Sequence, residues 1–435
     1  MNQKTKSILG WLSIFAISLI PVFLFFAFGS GLSGFQTFSY SLYTLGRIFA
    51  LVGVTLFALN FVLSTRLRFL EEIFGGMDKV YLVHGIVGGT AFMLILAHPL
   101  FIVANLIPNN IVKAASYFIP GSVLSLDFGL IAIIGLISLI VITFFTRIKY
   151  NHWKFTHEFM GLVFAFAALH MLLARDSVAV DNIFYGYYPF ISLVIAIGIG
   201  AFIYSLIVRK KFLRYAQYKI AGIQTSKDLI ELDLEPVGKP ILYKSGQFIF
   251  ARFYSENVSK EPHPFSIASK SNSRVIKIII KKSGDFTNLL EMIKEGDKVT
   301  LEGPYGRFNF RNFENKNQVW IAAGIGISPF LGMIEELKEN PDYRVELFYT
   351  FSENKIFNQH YLKIIQETEN LRFVPWNSRK RGHLKLKDIT GSDMNLKDKE
   401  ILICGPLAFK EEMIKRLKEL RINKDKIHEE VFELK

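Results

Sequence analysis

Residues 80–103 read VYLVHGIVGGTAFMLILAHPLFIV, 24 residues without an acidic side chain, a lysine or an arginine. A helix needs about 20 apolar residues to cross the hydrocarbon of a bilayer, so the stretch reads as a membrane span. It holds two histidines, His84 and His98, 14 residues apart. Ionisable groups at membrane depth are costly and point to function. At about 1.5 Å per residue, these two lie about 21 Å apart along the helix. A second apolar run, 155–174, carries His157 and His170, 13 residues apart, or about 20 Å.

Working outward, six such runs cover 8–28, 45–63, 80–103, 123–145, 155–174 and 188–208. The first follows Lys4 and Lys6 as a signal peptide would, but its 21 apolar residues exceed the roughly 7–15 of a signal h-region. It therefore reads as a span. Twelve Lys/Arg flank the spans on one side, among them Arg66, Lys79, Lys154 and Arg209, against Lys113 and Arg175 on the other. Basic residues stay cytoplasmic, so a multi-pass protein of the cell membrane is expected, with both termini in the cytoplasm. Both histidine-bearing spans then run outward. His84 and His157 fall near the inner face, His98 and His170 near the outer.

The averages over the chain hide this division. The 435 residues are 51% apolar, with 41 Phe, a mean hydropathy of +0.29 and a net charge of +13. Residues 1–208 hold 18 charged side chains and 209–435 hold 71, with net charges of +4 and +9. The second half therefore reads as soluble, and its excess suits dinucleotide phosphates beside an anionic membrane without calling for nucleic acid. The single cysteine, Cys404, excludes a disulfide framework, a Cys-ligated iron–sulfur cluster and a thiolate zinc site.

Each intramembrane histidine can hydrogen-bond a neighbouring helix or line a polar cavity. Four of them, matched in depth on two spans, also offer paired imidazoles for two stacked haems, whose iron accepts axial His. At about 100° per residue, 14 residues leave an offset of about 40° and 13 leave about 140°. His157 and His170 thus require a bulge, a tilt or haems on different flanks. His152 precedes that apolar run and is expected in a loop at the surface or headgroups. Arg47 and Asp127 also lie within apolar runs. They suggest an ion pair at equal depth or, for Arg47, a contact to an outer haem propionate.

Short β-runs occupy 218–223, 229–234, 247–253, 275–281 and 298–302, and their spacing predicts a small antiparallel barrel. After Asn317 the order becomes strand, Gly turn, helix, strand, helix, which implies a parallel sheet wound with helices. The apolar strand 318–323 runs into Gly324-Ile325-Gly326-Ile327-Ser328-Pro329. Ser328 fits an N-cap and Pro329 the first turn, and the glycines admit a pyrophosphate to the helix N-terminus. A tight strand–helix turn would read the same way. A second strand, 400–403, meets Cys404-Gly405-Pro406 at the carboxyl end, where such sheets bind ligands. His263-Pro264-Phe265-Ser266, the stretch from Lys281 through Gly284 to Thr287, and Gly303-Pro304-Tyr305-Gly306 combine a flat aromatic, hydroxyls, a cation and tight turns, all of use to a bound dinucleotide.

This ordered set resembles the ferric reductases and NADPH oxidases, and is most similar to the short bacterial NADPH oxidases that need no partner subunit. The resemblance covers nearly the whole chain. It implies a six-span membrane α-helical bundle followed by a cytosolic ferredoxin-reductase-like module, an antiparallel β-barrel FAD domain plus an α/β nucleotide domain. The expected domains are 1–212, 213–312 and 313–435. It implies two b-type haems, His84 with His157 and His98 with His170. It also implies FAD held by His263, Pro264, Phe265 and Ser266, with Lys281, Gly284 and Thr287 on the pyrophosphate and Gly303 nearby. Gly324, Gly326, Ser328 and Pro329, with Cys404, Gly405 and Pro406, resemble the site for NADPH or NADH. Phe432, in Glu430-Val431-Phe432, resembles a terminal aromatic covering the flavin. Where relatives that prefer NADPH carry an Arg for the 2′-phosphate this chain has Ser352, leaving Lys355 or Arg379 as substitutes. The implied reaction carries electrons from NAD(P)H to an acceptor outside. That acceptor is O₂, giving superoxide, or a ferric or cupric chelate. The outer loops, about 29–44, 104–122 and 175–187, hold no cluster of metal ligands, which points to O₂. No obligatory protein partner is expected. A histidine proton relay in a channel or transporter, and a flavin reductase merely anchored to the bilayer, are the readings from other classes.

Overall fold

The structure is a computed structural model. It describes all residues except 1–2, 29–34, 36, 108–109, 122, 147, 149, 175–186, 209–214, 227, 353–358, 391–394 and 431–435. It comprises two compact units, Met1–Leu213 and Arg214–Lys435.

Among the described residues of the first unit, six helical stretches are long and apolar enough to cross a membrane: Thr5–Phe28, Phe38–Ser64, Lys79–Leu106, Leu124–Phe145, His152–Leu173 and Tyr187–Val208. In chain order the helices are α1 (Gln3–Phe28), α2 (Phe38–Ser64), α3 (Arg68–Phe74), α4 (Met77–Leu106), α5 (Ile111–Ser116), α6 (Leu124–Phe145), α7 (Tyr150–Glu158), α8 (Met160–Leu173) and α9 (Tyr187–Ile203). The second starts seven residues before its expected apolar run. Thr37 explains this, since its hydroxyl accepts the Tyr40 N–H at 3.3 Å and caps the helix there. The fifth span is divided, with α7 giving way to α8 at Phe159. Phe159 keeps helical-region torsions, φ −68° and ψ −9°, so the two segments join through one turn residue. His152 belongs to the exposed face of α7 rather than to a loop.

Arg47 and Asp127 each have another partner in place of the expected ion pair. The Arg47 guanidinium donates to the Tyr187 hydroxyl at 3.0 Å and lies 4.9 Å over the Phe25 ring. Asp127, in the first turn of α6, accepts the Gly121 N–H at 2.8 Å. A backbone donor six residues away costs little ordering entropy, so the local bond wins over a distant cation.

The second unit contains β1 (Ala216–Thr225), β2 (Leu229–Pro236), β3 (Phe248–Tyr254), β4 (His263–Ser266), β5 (Ile276–Lys281) and β6 (Lys298–Tyr305). They form one antiparallel sheet in the order β4-β3-β6-β1-β2-β5. A bridge between Ile267 and Ile278 joins its two ends, so the sheet is a nearly closed barrel. Alternating residues such as Ile230, Leu232 and Leu234 fill the interior. Burying each is worth roughly 1.5–3 kcal/mol.

The nucleotide-type half follows as β7 (Asn317–Ala323), β8 (Arg344–Phe351), β9 (Leu371–Asn377), β10 (Glu400–Cys404) and β11 (Ile427–Glu429). They make a parallel sheet in the order β11-β10-β7-β8-β9. Its helices, with the one before it, are α10 (Asp285–Leu289), α11 (Ser328–Leu337), α12 (Gln359–Glu367), α13 (Ser378–Arg381), α14 (Leu386–Thr390) and α15 (Leu407–Glu419). The order reverses between β7 and β10, which is where open α/β sheets place ligands. The helix α11 is pinned to the barrel side. Buried Glu336 accepts the Ser271 N–H at 2.5 Å and the Arg311 guanidinium at 2.7 Å, so the sheet and barrel share one core through Ala268, Ile279 and Phe330.

Candidate functional site

The four membrane histidines meet in the two pairs their depth predicts. The rings of His84 on α4 and His157 on α7 are 6.3 Å apart between centroids, at 63°. Those of His98 on α4 and His170 on α8 are 6.3 Å apart, at 56°. Neighbouring backbones hold three of the four rings. His84 Nδ1 bonds the Asn60 carbonyl of α2 at 3.2 Å, His98 Nδ1 the Gly46 carbonyl of α2 at 2.9 Å, and His170 Nδ1 the Ser125 carbonyl of α6 at 2.7 Å. A carbonyl only accepts, so each of these Nδ1 atoms carries the proton and leaves Nε2 with a lone pair. Gly129 lets the His170 ring lie against α6, because a Cβ there would stand 2.8 Å from Nδ1.

These pairs fit a ligated metal. Two imidazoles binding one metal from opposite sides, at about 2.1 Å per bond, hold their ring centres roughly 6 Å apart. Among the described residues there is no cluster of three or more His, Cys, Asp or Glu suited to a metal, so a metal here would bring its remaining ligands with it, as haem iron does. Two buried polar atoms beside the first pair also lack hydrogen-bond partners among the described residues, His157 Nδ1 and Asn60 Oδ1.

In the barrel, β4 pairs with β3, setting Phe265 opposite Ile249 and Ser266 opposite Phe248. The His263 ring stacks on Phe286 at 3.6 Å, bringing β4 against the turn that carries Gly284 and Thr287. Thr287 Oγ1 accepts the N–H groups of Ser283 and Gly284 at 3.0 and 3.1 Å, so its hydroxyl shapes that turn. Lys281 closes β5 with an exposed side chain. Gln247 ties the strand exit to the last turn, its carbonyl accepting the Ile267 N–H and its amide donating to the Gly306 carbonyl at 2.9 Å. Gly303, at φ 136°, lies alongside Phe248 and Ile249, and Pro264 sits opposite Phe250. Ser266 is buried and its Oγ has no partner among the described residues. A buried hydroxyl is ordinarily satisfied, and a flavin-edge heteroatom fits that vacancy in its bonding.

The two turns of the nucleotide-type sheet converge. A Cβ on Gly326 would sit 2.4 Å from the Cys404 carbonyl oxygen, and one on Gly405 would sit 2.8 Å from Ala323 Cβ. Ser328 is the first residue of α11 rather than its N-cap. A 3-10 turn, Gly324–Ile327, intervenes, and the Ser328 hydroxyl donates back to the Ile325 carbonyl at 2.9 Å. Pro329 follows in the first turn, and Pro406 precedes α15 in an extended conformation. Burial pushes the Cys404 thiol well up, with Glu430 adding to the effect. Phe432 lies outside the described residues, as does Lys355. The segment before Phe432 is tied down, with the Glu430 N–H donating to Ile403 and buried Lys410 Nζ donating to the Glu430 carbonyl at 2.7 Å. At the other end of the sheet, the Ser378 hydroxyl donates to the Phe351 carbonyl at 3.1 Å. This brings the run from Arg379 to Arg381 beside Ser352.

Residues 49–168 match the ferric reductase like transmembrane component, and residues 214–309 match an FAD-binding domain. This is the architecture of the ferric reductase and NADPH oxidase family. The ferric-reductase match spans His84, His98 and His157, and the FAD match spans the 263–287 set and Gly303. Dual oxidase 1 of Caenorhabditis elegans is 26% identical, over 53% of this chain and 15% of its own length. The phenol hydroxylase P5 protein of Acinetobacter pittii is 25% identical, over 45% of this chain and 59% of its own. The chain thus spans about half the length of the curated relatives it matches. The flavohem-like FAD/NAD binding domain of nitric oxide dioxygenase from Vibrio cholerae is 24% identical, covering 50% of this chain and 98% of its own, with a TM-score of 0.45.

Within this ferric reductase-type architecture, several residues were not foreseen. The Asn60, Gly46 and Ser125 carbonyls that orient the histidines leave no signal in a sequence, since every residue has one. Trp153 does leave a signal, standing four residues before His157 on α7, one helical turn away.

Proposed function

We propose that the protein is a transmembrane oxidoreductase carrying electrons from cytoplasmic NAD(P)H through FAD and two b-type haems to O₂ outside, with superoxide as product. The observation that supports it most is the pair of histidine pairs, each with rings 6.3 Å apart, about 20 Å from one another along the helices. When bound, the flavin would split a two-electron donor into single electrons, and the haems would relay them across the bilayer. One NAD(P)H then reduces two O₂ and leaves its proton in the cytoplasm.

The residues have distinct tasks in this reading. His84, His98, His157 and His170 offer nitrogen ligands. The carbonyls of Asn60, Gly46 and Ser125 hold three of those rings in the tautomer that can ligate. Ser266 and Phe265 hold and face the flavin, with Lys281 and the Gly284 turn meeting its diphosphate. Gly326, Cys404 and Gly405 keep the nicotinamide end close to the backbone, and Phe432 covers the flavin. Arg379 and its neighbours beside Ser352 offer cations to a 2′-phosphate, which favours NADPH. Residues 1–212, 213–312 and 313–435 house the three functions, with both termini cytoplasmic and no partner subunit required.

Purified protein in detergent, loaded with FAD and haem and given NADH or NADPH, tests this. Cytochrome c reduction abolished by superoxide dismutase is the expected result. Dismutase-insensitive reduction with fast ferric-chelate turnover would make the protein a metal reductase instead. A flavin-loaded preparation without b-type absorption bands would end the haem reading.

A further inference from the structure

The two histidine pairs are not equivalent. In the outer pair both rings, His98 and His170, donate Nδ1–H to a backbone carbonyl of another helix. In the inner pair only His84 does so. The His157 Nδ1 is buried without a hydrogen-bond partner among the described residues. Its ring instead stacks on Trp153, with centroids 5.2 Å apart and planes at 24°. The two residues are four apart on α7, so their side chains share one helix face. α7 is itself a separate nine-residue helix, cut from α8 at Phe159. The ladder of the span is interrupted two residues after His157.

We infer that Trp153 is the positioning residue of the inner pair, its indole face setting the plane of the His157 imidazole where the other three rings rely on a carbonyl. The inference rests on the haem reading above. A ligating histidine whose Nδ1–H has no acceptor is a weaker electron donor than one bonded to a carbonyl. The inner centre thus has one carbonyl-anchored ligand against two in the outer. The stack also makes the inner ring plane sensitive to the indole of Trp153.

The test compares the full-length protein with Trp153→Phe and Trp153→Leu. The measurements are haem and FAD per chain and low-temperature electron paramagnetic resonance of the ferric form, which responds to the angle between the two ligating ring planes. Trp153→Phe keeps a stacking face, so it should retain full haem content while shifting one of the two low-spin signals. Trp153→Leu keeps apolar bulk but no face. It should weaken one haem site about 10-fold or more and leave the other signal and the FAD content unchanged. If both signals stay at wild-type positions in both variants, or move together, the inference fails. Should the Leu variant not accumulate, the Phe variant decides by the same signal. A wild-type protein without haem would sink the underlying reading instead, a result recognisable before any variant is made.

Discussion

The membrane unit and the soluble unit build their sites from different materials. In the membrane unit the proposed site is built from four side-chain imidazoles, and carbonyls on neighbouring helices orient three of them. In the soluble unit the decisive contacts are backbone against backbone, such as Gly326 at the Cys404 carbonyl, or a hydroxyl closing its own turn, as Thr287 does. The difference follows from the surroundings. Hydrocarbon tolerates few polar side chains, so those present stand out in the sequence. In water polar residues are ordinary, and a dinucleotide is held by close backbone approach and helix termini.

The two units separate most sharply at His84. His84→Leu should cut electron delivery to the proposed outside acceptor about 100-fold or more, since it removes a proposed haem ligand, and even a lost hydrogen-bond partner of a ligand costs about 10–100-fold. NAD(P)H oxidation with a dye that takes electrons from the flavin should stay within about two-fold, because the ligand lies in the other unit. An equal fall in both assays would show that the two units do not act separately.

Gly326→Ala should show the opposite separation. The added Cβ meets the Cys404 backbone at 2.4 Å, and overpacking of this kind costs about 1–3 kcal/mol. If about 1.4 kcal/mol of that cost falls on nucleotide binding, the KM for NAD(P)H rises about ten-fold, with unchanged haem spectra. Gly238→Ala, where a Cβ meets nothing within 4 Å, is the control and should leave KM alone. Equal effects of the two substitutions would remove the close approach as the explanation.

The smallest effect is expected at Asp127. Its carboxylate accepts one loop N–H at 2.8 Å, and an amide oxygen can accept it as well. Asp127→Asn should therefore change the melting of the detergent-solubilised protein by less than about 0.5 kcal/mol. A larger loss would revive a charge-dependent role and bring Arg47 back into question.

Much of the site could be read because its signals are periodic or compositional. The six apolar runs, the matched depths of His84 with His157 and of His98 with His170, and the Gly turns after β7 and β10 all survive in the structure. Other expectations failed for local reasons. Ser328 lost its capping position to a 3-10 turn, Arg47 found Tyr187 instead of Asp127, and α2 began early because Thr37 caps it. Each outcome turns on one hydrogen bond, which residue type alone does not choose.

By itself the sequence determined which segments lie in hydrocarbon, which histidines share a depth, and where the chain alternates strand with helix. Hydrophobic burial and residue period act along the chain and depend little on which neighbour arrives. The tertiary structure decided that His157 and His170 both meet histidines of α4, and that the Gly326 turn closes on Cys404. It also decided that three imidazoles rest on carbonyls while the fourth rests on Trp153. These contacts join residues that are distant in sequence or depend on one backbone torsion, and packing fixes them only once the helices and strands have met.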